Sequence, residues 1–175
     1  MPITDTQSDD FDRYARNPET WVLAARRSLA VARLLMNRSA QLRVSANRDF
    51  FEYSGCYYAG YFHAGVAIEN AAKAVHISHD PTIVSKGKLD VKKFGNRSGH
   101  ALIEPVQSIL GSITEDERRV VTKLEEFVWA GRYTVPTKAD VLYDEKRMDN
   151  LRLSTPDELN ILQSLVDRIV SKIEK

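Results

Sequence analysis

The stretch YYAGYFHAGVAIENAAKAVHISHD, residues 57–80, decides the fold that the sequence predicts. Its apolar residues recur at the three- and four-residue intervals of a helical face, and Phe62 and Val66 widen that face. The sequence therefore predicts a central helix over about residues 51–78, buried on more than one side. Frequent alanine and glycine would let neighbouring backbones approach it closely. The Asp-Pro pair at 80–81 ends the helix, because a residue before proline avoids the helical region.

Start signals for further helices stand before and after this central helix. Asn17 can cap a helix whose first residue is Pro18, a position at which proline costs no hydrogen bond. The sequences TEDE at 114–117 and TPDE at 155–158 are capping boxes, in which a threonine and a glutamate each satisfy a backbone N–H. The pattern thus predicts three helices that begin at these places.

The predicted helices span about residues 17–40, 51–78, 100–110, 114–129 and 155–173. No segment is a convincing strand, so we expect an all-α protein, an up-and-down bundle of four to five helices. The polar, acidic residues 1–16 are interpreted as a flexible N-terminal arm, and residues 17–175 as a single helical domain. A long basic loop is predicted over 81–99, and loops of that length are often functional.

The composition excludes several classes of protein. The chain has 175 residues and a net charge of +1, a balance that by itself favours neither nucleic acid nor an anionic membrane. The single cysteine, Cys56, permits no intrachain disulfide. No apolar run approaches the ~20 residues of a spanning helix, so we expect a cytoplasmic protein that does not enter a membrane. No cofactor-binding motif is present, and no cofactor is predicted.

Positive charge is concentrated in two segments. Six arginines and no acidic residue lie between Thr20 and Arg48, at positions 26, 27, 33, 38, 43 and 48. Five basic residues, among them Lys92 and Lys93, and one acid lie between Lys86 and Arg97. The two segments could form one basic face that binds the phosphates of RNA. They could equally be two separate solvated faces, and the sequence leaves both interpretations open.

Short motifs in a fixed order resemble those of the HEPN superfamily. They are ARLLMN at 32–37, Glu69 followed by Lys73-Ala74, GHAL at 99–102 and WAGRYTVP at 129–136. The resemblance covers about residues 20–173. It implies a HEPN-like all-α bundle, usually a homodimer and often encoded in a prokaryotic defence or toxin–antitoxin system.

The resemblance also bears on activity. Many HEPN proteins are metal-independent RNases, frequently paired with a nucleotidyltransferase-like antitoxin, and others are binding modules. The RNases carry an arginine followed four to six residues later by a histidine, which together activate the 2′-hydroxyl and stabilise the developing charge. None of the four histidines here has that spacing, and only Arg97 and His100 come near it.

The resemblance therefore implies a binding module for RNA, a nucleotide or a partner protein in a defence, stress or toxin–antitoxin system. A metal-independent RNase that uses Arg97 and His100 is the alternative. Lys92 and Lys93 are candidate phosphate contacts in either case, and Arg132 with Tyr133 form either a packed corner or a further phosphate contact.

Glu69 and Lys73 are one helical turn apart, in the better order for an ion pair. They are either a structural pair that ties the central helix to its neighbours, with a bridge to Arg132 as one form, or groups that face a ligand in a groove between helices. Part of the aromatic face that carries Tyr57, Tyr61 and Val66 is predicted to be a homodimer interface. His63 is assigned to the core or interface. His76 and His79 with Asp80 are too few for a metal site, so no metal is predicted.

Overall fold

The structure, a computed structural model, describes residues 4–47, 49–90, 101–130 and 157–173. Its helices are α1 (Asp5–Ala15), α2 (Pro18–Arg43), α3 (Phe50–His79), α4 (Ile103–Leu110), α5 (Glu115–Ala130) and α6 (Glu158–Val170). A 3-10 turn (Pro81–Ile83) and a two-stranded hairpin, β1 (Val84–Ser85) with β2 (Lys88–Leu89), follow α3. The predicted helical class is confirmed, and α1 and the hairpin are parts that the prediction missed.

The long helix α3 lies at the centre of the bundle. It packs against α2, α5 and α6, and Ala64, Ala67, Ala71 and Val75 on it are all buried. Gly65 shows why small residues are needed: a Cβ there would overlap the side chain of Val128 on α5. The prediction of a central helix buried on more than one side is therefore confirmed.

Two of the predicted helix starts are found where the sequence places them. Asn17 caps α2, with its Oδ1 accepting the backbone N–H of Glu19 at 3.0 Å. Thr114 and Glu117 form the predicted capping box, with backbone-to-side-chain distances of 3.2 and 2.8 Å. Both signals are local, because the two halves of each cap lie within three residues of one another.

The predicted arm over residues 1–16 is instead mostly helix. Thr4 and Gln7 form a capping box that begins α1. Near the end of α1, the buried carboxylate of Asp12 accepts the backbone N–H groups of Lys86 at 2.9 Å and Gly87 at 2.8 Å. These long-range hydrogen bonds attach α1 to the hairpin, a partnership that the composition of the segment gives no means of predicting.

The first part of the predicted basic loop is likewise structured. Lys86 and Gly87 have positive φ angles of 52° and 69°, the backbone conformation that joins two strands through a tight turn. The strands are two residues each, too short to show an alternating pattern. Residues 91–100 lie outside the described residues.

The last helix begins differently from the prediction. Asp157 precedes α6 and makes no side-chain cap, and Thr155 lies outside the described part of the chain. Glu158, expected to complete a capping box, is buried and turned into the bundle. None of the described helices is both long enough and apolar enough to cross a membrane.

Candidate functional site

A cavity of about 230 Å³ lies between α2, α3 and the first turn of α6. The described residues of its lining combine aromatic rings, one carboxylate, one guanidinium and short polar or apolar groups. The lining residues are Met36, Asn37, Ser39, Ala40 and Arg43 of α2, Tyr53, Tyr57 and Tyr61 of α3, and Glu158 and Leu159 of α6. This mixture of apolar rings with a few polar groups is typical of a small-molecule site.

The three tyrosines form a ladder along one face of α3. They are four residues apart, so their side chains stand one above another on the helix. The ring centroids of Tyr53 and Tyr57 are 6.1 Å apart in a stacked arrangement, and those of Tyr57 and Tyr61 are 4.9 Å apart. Tyr61 in turn stacks on Phe127 of α5 at 4.7 Å. The inner end of the ladder is therefore fixed by the core, while Tyr53 and Tyr57 remain half-buried beside the cavity.

A buried polar cluster closes the inner end of the cavity. The hydroxyl of Tyr61 donates to Oε2 of Glu158, and Nζ of Lys123 donates to that hydroxyl at 2.9 Å and to Oε1 of Glu158 at 3.3 Å. The side chains of Lys123 and Glu158 are only 2% and 5% exposed. We call these three residues the Lys123 cluster.

The Lys123 cluster holds a charge pair in the core. Burial lowers the pKa of Lys123, and the nearby carboxylate of Glu158 opposes that shift. The ammonium also lies 4.0 Å from the ring centre of Tyr61 and 5.7 Å from that of Tyr57, where it is stabilised by the electron-rich faces. A buried ionisable group with a shifted pKa beside a cavity is a feature of functional sites.

The predicted pair in the central helix lies elsewhere. Oε1 of Glu69 and Nζ of Lys73 are 2.5 Å apart, and the two side chains are 14% and 18% exposed. Lys73 also lies 5.3 Å from the ring centre of Trp21 on α2. Neither residue lines the cavity. The contacts favour the structural interpretation, in which the pair ties α3 to α2.

The remaining predicted site residues lie outside the described residues. They are Lys92, Lys93, Arg97, His100, Arg132 and Tyr133. Their assignments as phosphate contacts, or as the catalytic pair of an RNase, stay predictions.

The arginines of α2 do not form one stripe. At about 100° per residue, Arg26 and Arg33 share one face, Arg27 and Arg38 share a second, and Arg43 lies on a third. Arg33 donates to Gln163 at 2.9 Å and Arg38 to Glu52 at 2.7 Å. Arg43 is the arginine of this helix that lines the cavity. The described part of the first basic segment is thus spread around the helix.

The aromatic face assigned to a dimer interface is used within the chain. Tyr61 is 3% exposed and stacks on Phe127, so this part of the face belongs to the core. The predicted homodimer itself stays a prediction. His63 lies beside Phe62, half-buried, with ring centroids 5.6 Å apart. Among the described residues, no group of three or more His, Cys, Asp or Glu side chains is arranged to hold a metal ion.

Asn37, Tyr53, Lys123 and Glu158 were not assigned to a site from the sequence. Lys123 stands three residues after Val120 and four before Phe127, so it interrupts the apolar face of α5. A lysine among the core-facing apolar residues of a helix indicates that a buried partner for its charge exists. Glu158 carried no such signal, because its position also fits a capping box.

Comparisons with known proteins returned nothing: no family model, no curated protein and no solved structure matches the chain. The cavity and its lining residues are therefore the features that bear on function.

Proposed function

We propose that the protein is a HEPN-like helical binding module that holds a nucleotide, or one unpaired nucleotide of an RNA, in the cavity between α2, α3 and α6. The observation that carries the proposal is the combination, in one cavity, of a row of three tyrosines, a buried carboxylate and an exposed arginine. Each of these groups suits a different part of a nucleotide.

The tyrosine ladder suits the base. Proteins that bind unpaired nucleotides stack the bases on aromatic side chains. Tyr53 and Tyr57 are half-buried, so their rings keep surface that a base could cover. The cavity, at about 230 Å³, is smaller than the ~300–1,000 Å³ of sites for drug-sized ligands. That size favours a single base or nucleoside over a dinucleotide.

Arg43 suits the phosphate. Its guanidinium is exposed, and a guanidinium matches the geometry of a phosphate better than an ammonium does. Inside the cavity, the charge of Glu158 is offset by Lys123, which leaves Arg43 as the uncompensated charge among the described residues of the lining. This arrangement disfavours a cationic ligand. A second reason is that the Lys123 ammonium already lies over the rings of Tyr57 and Tyr61.

Isothermal titration of the purified protein with the four common 5′-mononucleotides and a short single-stranded RNA tests the proposal. Arg43→Gln should weaken binding several-fold and reduce its dependence on salt, because a phosphate contact releases a counterion. Arg26→Gln is the matched control, an exposed arginine of the same helix that does not line the cavity. Absence of binding, or an equal effect of the two substitutions, would contradict the proposal.

A second pair of variants tests the stacking surface. Tyr53→Leu removes a lining ring, and stacking contributes about 1–3 kcal/mol per base, so affinity should fall about fivefold or more. Tyr58→Leu removes a ring that is 57% exposed and does not line the cavity, and it should leave affinity unchanged. Equal losses in the two variants would place the base elsewhere.

The proposal includes the biological setting that the HEPN resemblance implies: a cytoplasmic homodimer in a prokaryotic defence, stress or toxin–antitoxin system, with a nucleotidyltransferase-like protein as a candidate partner. Analytical ultracentrifugation at micromolar concentration should show a dimer, and a monomer would contradict that part. In the RNA titration, cleavage that disappears in His100→Ala would support the RNase alternative.

A further inference from the structure

We infer that the cavity selects guanine among the bases, with the guanine N1–H and the 2-amino group donating to the carboxylate of Glu158. This inference rests on the proposed function and names the base that the same cavity takes. It follows from the hydrogen-bonding capacity of a buried carboxylate and from the donor patterns of the four bases.

The carboxylate of Glu158 has acceptor capacity left. An ionised carboxylate offers about four lone-pair positions. In the described part of the chain it receives two hydrogen bonds, one from Tyr61 and one from Lys123, one to each oxygen. Because Glu158 also lines the cavity, we place the donors of the ligand against the remaining positions. A carboxylate can only accept, so the ligand atoms that face it must be donors.

The four bases differ in what they present to such an acceptor. Guanine carries two adjacent donors on its Watson–Crick edge, N1–H and the 2-amino group, and these match the two oxygens of a carboxylate. Adenine and cytosine each present one amino group beside an acceptor nitrogen, and uracil presents one N–H between two carbonyl oxygens. An acceptor placed against a buried carboxylate is left without a donor, which is costly. Bidentate, charge-assisted pairs are the stronger class of hydrogen bond.

Tyr61 and Lys123 act as positioning residues in this inference. Each donates to one carboxylate oxygen of Glu158, so the plane and rotamer of the carboxylate are fixed before a ligand arrives. The O6 atom of guanine requires a donor of its own, and the amide of Asn37, which lines the same cavity, carries two N–H bonds.

A ligand series tests the inference without altering the protein. Titration calorimetry would compare GMP with IMP, which lacks the 2-amino group, with N1-methyl-GMP, which lacks the N1–H, and with AMP, CMP and UMP. GMP should bind best, and the other ligands about ten- to a hundredfold more weakly, the discrimination that a bidentate base contact provides. Equal binding of all nucleotides would overturn guanine selection and leave the proposed function standing. Binding of none would overturn both.

A variant then assigns the selectivity to Glu158. Glu158→Gln should abolish the preference for GMP over AMP, because an amide replaces one of the two acceptor oxygens by an amino group, which cannot accept from guanine. Since this change leaves Lys123 without its counter-charge, the combined variant Glu158→Gln with Lys123→Met is measured as well, and helical circular dichroism checks both folds. A guanine preference that survives in the folded variants, or a preference for another base in the wild-type protein, would overturn the inference.

Discussion

The Nζ atom of Lys123 lies 2.9 Å from the hydroxyl oxygen of Tyr61 and 4.0 Å from the centre of the same ring. The lysine therefore uses the tyrosine twice, as a hydrogen-bond acceptor and as an electron-rich face. Together with the carboxylate of Glu158, these contacts replace the water that the buried ammonium has lost. The core of the bundle depends on all three groups being present.

Removal of Lys123 should be strongly destabilising. Lys123→Met leaves the buried carboxylate of Glu158 without its counter-charge, and breaking a buried pair in this way costs about 3–5 kcal/mol. The double variant Lys123→Met with Glu158→Gln should lose less than the sum of the two single losses. Urea denaturation measures the free energy of unfolding of the two single variants and the double variant, with Lys172→Met, at an exposed position, as the control. Additive losses would show that the two residues are not coupled.

Two glycines of α3 should respond to alanine in opposite directions. At Gly65 a Cβ would overlap Cγ2 of Val128 and stand 3.3 Å from the carbonyl oxygen of Leu124, so Gly65→Ala should lower stability by about 1–3 kcal/mol. At Gly55 a Cβ meets nothing within 4 Å, so Gly55→Ala should raise stability by about 0.5–1 kcal/mol. Thermal unfolding of the two variants checks the pair, and equal shifts would contradict the packing of α3 on α5.

Glu69→Gln should lower stability without affecting the cavity. The substitution removes the partner of Lys73 at a position where both side chains are mostly buried, for an expected loss of about 1–3 kcal/mol. Nucleotide affinity should stay within error of wild type. Glu115→Gln is the control, because its ion pair with Arg118 spans 3.8 Å and Glu115 is 89% exposed. If Glu69→Gln kept the wild-type melting temperature but lost nucleotide binding, Glu69 would be assigned to the ligand site.

The sequence predicted those parts of the fold whose signals lie close together along the chain. Two helix starts are each signalled within four residues, by Asn17 with Pro18 and by Thr114 with Glu117. The structure has both helix starts. The Thr4 capping box is equally local, but it is followed by an acidic, polar segment that resembles an arm. The attachment of Asp12 to the hairpin joins residues more than seventy positions apart, and no local pattern encodes it.

The candidate site was less predictable, for the same reason. Tyr57 and Tyr61 were recognised as one helical face, but whether that face met a second copy or its own core depended on where α5 packs. Lys123 and Glu158 are joined across 35 residues. Their pairing becomes visible only after the bundle has assembled, because the position of Lys123 on the apolar face of α5 indicates a buried partner without saying which residue it is.

His76 should make stability depend on pH in mildly acidic solution. Burial, and then the charge of His79, lower the pKa of His76 below 6.5. Below that pH the unfolded chain binds a proton that the folded chain does not, so stability falls as the pH falls from about 6.5 toward the lowered folded-state pKa. Urea denaturation at about pH 7 and about pH 5.5 should show this loss, and His76→Gln should reduce it.

His79→Gln serves as the comparison for that measurement. Since burial is the larger cause of the shift, most of the pH dependence should remain when the charge of His79 is removed. A pH dependence that is identical in wild type and His76→Gln would assign the titration to other groups.

The start of α4 has a consequence for the order of folding. The backbone N–H groups of Leu102 and Ile103 both donate to Oε1 of Glu125, at 2.5 and 2.7 Å, so α5 supplies the cap of a helix that precedes it in the chain. An isolated helix of eight residues is marginal in water. We therefore expect helix α4 to form after α5 has docked, and conservative substitutions along α4 should speed unfolding while leaving the refolding rate unchanged. Stopped-flow refolding of Val106→Ala tests this expectation. Slower refolding of the variant would show that α4 forms early and would contradict it. An element that precedes α5 in the chain would then join the bundle after it.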